Sequence, residues 1–174
     1  MKDKTSGRPD KNPEDLMREK ALRLLNMRMY SHTELVNKLC SSDGSTLSRS
    51  RRQDEDETVL MAERVVSRLE ALGLLNDGFY AGALVRHYAA KGYGAGRIRS
   101  EMTRRGIDRN LQEQALCENP PAEEAIDRFL RTRMKNPGDR DERRKLSAAL
   151  ARRGYGWEEI RAAFDRLHAG TEEE

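Results

Sequence analysis

Residues able to do covalent or metal chemistry are few in this chain and do not cluster. His32, His87 and His168 share no spacing that would gather them as ligands, and Cys40 and Cys117 form no CxxC or Cys/His pattern. No Ser or Cys sits with a base in a recognisable nucleophile motif. The Gly92-Tyr93-Gly94-Ala95-Gly96 cluster lacks the lysine and the preceding strand of a phosphate loop, and reads as a tight turn feeding a helix. No catalytic residue, metal ligand or cofactor is expected.

What the chain does carry is guanidinium. Arginine far outnumbers lysine, and its planar fork suits two-pronged contacts to carboxylate or phosphate. Net charge is only +3, but it is unevenly spread. Ten basic residues face three acids between Arg128 and Arg153, and seven face two between Arg86 and Arg109. The acids gather at Asp54–Glu57 and Glu172–Glu174. Such asymmetry points to an anionic partner, either nucleic acid or acidic protein surface.

The elements that must position these cations are helical. Apolar residues recur at helical spacing, and no segment alternates at period two for long enough to form a strand. Charged residues make up 36% of the 174, as much as the hydrophobic share, and mean hydropathy is −0.91. That supply suits small helical units side by side better than one round core.

A repeat organises them. Ile98, Met102, Gly106 and Ile107 return 48 residues later as Leu146, Leu150, Gly154 and Tyr155; 63 residues earlier, Leu35 and Leu39 hold the first two places. The apolar pair is one stripe of a short helix and the glycine its stop. The predicted fold class is all-α: three tandem three-helix units in an elongated, curved array. The first unit spans 14–75, with helices over Leu16–Met29 (Leu22, Leu25 and Met29 inward), from a Ser31–Glu34 capping box to Cys40, and over Thr58–Leu72 (Val59, Ala62, Val66 and Leu69 inward). A polar run, 41–57, is predicted to be a flexible insertion in it. The second unit spans 76–118, with helices Gly78–Ala90, Ala95–Arg105 and Arg109–Cys117. The third spans 119–169, with helices Pro121–Met134, Asp141–Arg153 and Trp157–His168. Residues 1–13 and 170–174 read as tails.

The run from Gly73 to Leu116 resembles the central part of RecX proteins. It carries Gly73-Leu74-Leu75-Asn76-Asp77, Phe79-Tyr80-Ala81, Val85-Arg86, Gly92-Tyr93-Gly94, Arg97-Ile98-Arg99 and Arg105-Gly106-Ile107-Asp108 at that family's spacing. The first unit and the Arg152-Arg153-Gly154-Tyr155 of the third match as well. Asn76 replaces the usual Asp, Met102 the usual Leu, and the insertion is additional. The resemblance implies a small non-enzymatic regulator that lodges in the groove of a RecA filament on single-stranded DNA. It would there hinder strand exchange, ATP turnover and cleavage of the SOS repressor.

Candidate partner-binding residues are Arg97, Arg99, Arg104, Arg105, Arg143, Arg144, Lys145, Arg152 and Arg153. One residue per 100° puts Arg97 and Arg104 on one helix edge, and the 48-residue shift maps them onto Lys145 and Arg152. Unit one has Glu34 and Ser41 in those places. Tyr93 and Tyr155 are expected to pack at helix ends, and Trp157 at the start of the final helix. The partner expected is the RecA filament, with weak direct contact to DNA. The competing reading is a stand-alone DNA-binding protein using the basic second helices. The polar N-terminus is not a secretory leader and no stretch suits a membrane span, so a cytoplasmic monomer is expected.

Overall fold

The computed structural model describes residues 12–41, 52–121, 123–136 and 138–169, and every regular element among them is an α-helix. In order these are α1 (Pro13–Met27), α2 (His32–Cys40), α3 (Arg52–Ala71), α4 (Asp77–Ala90), α5 (Ala95–Arg104), α6 (Arg109–Glu118), α7 (Glu123–Arg133), α8 (Arg140–Arg152) and α9 (Trp157–Ala169). The all-helical class expected from periodicity holds. The chain divides into two bodies, one ending at Asn76 and one beginning at Asp77.

In the first body, α3 packs on both α1 and α2. Its core joins Ala21, Tyr30, Leu35, Val36, Leu39, Ala62, Val65, Val66, Leu69 and Leu75. The Ser31–Glu34 capping box is present: the Glu34 N–H donates to Ser31 Oγ at 3.0 Å, and the Ser31 N–H to Glu34 Oε2 at 3.3 Å. Two expectations need correction. The inward face of α1 is Met17, Ala21, Leu24 and Leu25, whereas Leu22 and Met29 are exposed. Ala21 is wholly buried between α1 and its neighbours, a place a small side chain fits. Secondly, α3 begins six residues before Thr58, so 52–57 are helical rather than part of a flexible run, and Val59 is exposed. The rest of that run, 42–51, lies outside the described residues.

His32 pins α2 to α3. Nδ1 lies 3.0 Å from Glu70 and Nε2 2.8 Å from Glu63. Two carboxylates can both accept only if both ring nitrogens carry protons, so the pair selects imidazolium. Burial opposes that charge, but the hydrogen bonds to Glu63 and Glu70 outweigh it and raise the pKa above the ordinary 6.5. A raised folded-state pKa gives stability that is full below the unfolded value and lost as pH climbs through the folded one. The melting temperature should therefore fall as pH rises from below the ordinary imidazole pKa through the raised one, and His32→Gln should remove that part of the fall. A gap between parent and variant that stays constant with pH would contradict the assignment.

The second body holds two copies of one three-helix plan. In α4–α6 the core is built on Tyr80, Ala81, Leu84, Val85, Ile98, Met102, Ile107, Ala115 and Leu116; in α7–α9 on Ile126, Leu130, Leu146, Leu150, Tyr155, Ile160, Ala163 and Phe164. The repeat partners are equivalent: Ile98 and Leu146 are both buried, as are Met102 and Leu150, Ile107 and Tyr155, Leu116 and Phe164. The shared Gly-apolar signature is a Schellman stop. The Gly106 N–H donates to Thr103 O and the Ile107 N–H to Met102 O; the Gly154 N–H donates to Ala151 O and the Tyr155 N–H to Leu150 O. Both glycines have positive φ, 69° and 89°. Buried Gln112 seals the first of these turns, donating from Nε2 to Ile107 O at 2.8 Å.

Candidate partner-binding face

The basic helices α5 and α8 meet end to end. The Gly94 N–H donates to Arg153 O and the Gly96 N–H to Gly154 O, each at 2.9 Å. Donors left over at the start of α5 thus meet carbonyls at the end of α8, and the partial charges of the two helix ends attract. Only glycine permits this approach. A Cβ on Gly94 would stand 2.6 Å from Gly154 O, and one on Gly154 would strike the backbone N of Arg97. The glycine cluster is therefore more than a turn feeding a helix: it is the joint between the two copies. Sequence reasoning missed that role, although a glycine at each repeat-boundary position was a signal.

The joint decides which predicted cations come together. Arg97, in the first turn of α5, and Arg152, in the last turn of α8, line one shallow depression with Ser100, Tyr155 and Glu159. Arg97, Arg152 and Lys145 are exposed, and none has an ion pair or side-chain hydrogen bond with another described residue. Arg104 shares Arg97's edge, 67% exposed, with Glu101 three residues back at 2.8 Å. That hydrogen bond, ahead of one from Tyr88, holds the Glu101 carboxyl below its usual range. Arg144 is also exposed, 3.7 Å from Asp141.

The other four predicted residues are turned to internal tasks. Arg99 also borders that depression but forks onto Glu113 of α6 at 2.8 and 3.0 Å; this hydrogen bond raises its pKa further. Arg105 donates to the Tyr80 hydroxyl at 2.6 Å. Arg143 covers the Phe164 ring at 4.6 Å. Arg153 sits 4.6 Å over Phe129 and donates to Gly92 O at 3.3 Å, bracing the joint. Arg97, Arg104, Lys145 and Arg152 remain as the outward face, with Arg144 beside them.

Tyr155 is buried as expected, and Tyr93 half-buried. Trp157 overturns its expectation: it opens α9 but is 71% exposed, because Ile160, Ala163 and Phe164 already fill the core that α9 closes. Among the described residues no group of three His, Cys, Asp or Glu side chains could hold a metal ion, and no helix is long and apolar enough to cross a membrane.

Family models match the second body twice. Residues 76–116 match the second three-helix domain of RecX and residues 122–164 its third. The chain is 33% identical over 159 residues to the regulatory protein RecX of Chromohalobacter salexigens, covering 88% of this chain and 94% of that one. It is 36% identical over 149 residues to that of Xanthomonas citri, covering 83% of each. Among solved structures, RecX from Lactobacillus salivarius superposes with a TM-score of 0.70 at 19% identity, over 90% of this chain and 97% of that one. With this identity carried across nearly the whole length of its relatives, the chain belongs to the RecX family of regulatory proteins.

Proposed function

We propose that the chain regulates the RecA recombinase by binding its filament on single-stranded DNA, restraining strand exchange, ATP hydrolysis and co-protease activity. It acts as a monomer in the cytoplasm, where such filaments form. The observation that carries this reading is the run of uncommitted cations across the α8–α5 joint. Arg97, Lys145 and Arg152 have no ion-pair partner among the described residues, and seven residues separate Arg97 from Arg104 and Lys145 from Arg152, about 10 Å along each helix. Cations left unpaired on a rigid scaffold suit an acidic protein surface or phosphate, and they speed encounter with it. Binding of this kind needs positioning and charge, with no bond made or broken.

The reading is tested by titrating the chain into a reaction of RecA, single-stranded DNA and ATP. Hydrolysis should fall with added chain and level off at a fixed ratio of chain to RecA protomers. Suppression by trace amounts that grows with time would instead mark an enzyme. No suppression at saturating chain would remove the reading.

A further inference from the structure

The sole tryptophan of the chain stands in water at the mouth of a small basic pocket. Trp157 is 71% exposed, although indoles are among the most deeply buried side chains on average. Beside it lies a pocket of about 200 Å³ lined by Arg143, Ser147, Arg161, Ile160 and Phe164. Arg143 and Arg161 approach one carboxylate, Asp165, at 4.0 and 3.9 Å, so the pair keeps a net positive charge. Glu159, in the same turn as Trp157, faces elsewhere and accepts from the Gly156 N–H at 2.5 Å.

The apolar surface is too small for a protein groove. Ile160 and Phe164 are almost wholly buried, and the only other exposed large hydrophobic residue among those described in the second body is Phe79, on α4. A protein hot spot needs a ring of apolar contacts around its anchor. A lone ring flanked by guanidinium groups has the parts of a stacking platform: a π face for a base and cations for the phosphates on either side. We propose that Trp157, with Arg161 and Arg143, binds single-stranded nucleic acid by stacking one base on the indole. The site is separate from the α8–α5 edge and needs no recombinase.

Because there is one tryptophan, its fluorescence reports this site alone. The full chain, without recombinase and at low salt, is titrated with a short oligothymidylate and with an abasic oligomer of equal length. Thymidylate should quench the emission saturably, and the abasic oligomer should bind at least about fivefold more weakly, since stacking of one base is lost. Trp157→Ala should weaken binding of a labelled thymidylate by the same factor with helicity unchanged, while Trp157→Phe keeps most of it. Arg161→Ala should reduce the slope of log affinity against log salt by about 0.7, one phosphate contact. Arg143 is left alone because it also packs on Phe164. Equal quenching by the abasic oligomer, unchanged affinity in Trp157→Ala, or quenching by polyglutamate instead of thymidylate would each overturn the proposal.

Discussion

Gly154→Ala should be among the most damaging single-methyl changes this chain can suffer. Two independent effects add. The residue has φ of 89°, where an L side chain costs about 1–2 kcal/mol. The new Cβ also meets Arg97 backbone, which cannot swing away as a flexible side chain could. Two further variants separate the effects. Gly73→Ala shares the backbone penalty, with φ of 72°, but has open space around it. Gly94→Ala has ordinary φ of −83° and suffers only the clash, 2.6 Å from Gly154 O. Urea or thermal unfolding should rank Gly154→Ala as the least stable of the three. Gly94→Ala should lose suppression of RecA while keeping every charge, because the α8–α5 joint that aligns the cations is forced apart. Gly73→Ala should suppress normally.

Replacing Arg97, Arg104, Lys145 and Arg152 together with alanine should do the reverse: keep the fold and lose the activity. Exposed charge changes away from special backbone sites usually cost under about half a kcal/mol each, and three of the four have no partner among the described residues. The fourth, Arg104, pairs with Glu101 within one helix turn, an arrangement worth a few tenths of a kcal/mol. Circular dichroism should thus show an intact helical chain. Suppression of RecA-dependent ATP hydrolysis should fall at least tenfold in effective concentration, equivalent to about 1.4 kcal/mol and well within what several lost contacts can supply. Raising salt should reproduce much of the loss in the parent. Glu34→Ala, at the matching place in the first unit, is not a neutral control, since Glu34 closes the Ser31 capping box. Lys38→Ala, at an exposed cation of α2, serves better.

These two experiments rest on different depths of legibility in the sequence. The repeat was readable because burial obeys a strict rule: Ile98 and Leu146 fall on the inner stripe of their helices, and Gly106 and Gly154 stop those helices in a conformation that glycine favours. The Arg97–Arg104 edge was readable for the same reason, since seven residues return a helix to nearly the same side. Helix geometry alone also separates Arg99 from that edge, but its tie to Glu113 depends on where α6 packs. The inward turn of Arg105 to Tyr80 likewise depends on α4, which lies 25 residues away in the chain. The α8–α5 joint was hidden because a glycine that stops a helix and a glycine that admits a neighbouring backbone look alike in one sequence. Trp157 was misread because hydrophobicity says that a side chain gains from burial, not that room is left for it. In α1 the same limit applies: Ala21 wins the buried position over Leu22 through proximity, not hydrophobicity.

On the function proposed above, the cationic face is built for a recombinase filament and not for DNA by itself. Its most direct test compares the affinity of the chain for single-stranded DNA coated with RecA and a non-hydrolysable nucleotide with its affinity for the same bare strand, both near physiological salt. Filament binding should be at least about a hundredfold tighter, a difference of roughly 2.7 kcal/mol, with the quadruple variant losing most of that advantage and little of its weak hold on bare DNA. Equal affinity for filament and bare strand, with the four substitutions weakening both alike, would contradict it and leave a stand-alone DNA-binding protein.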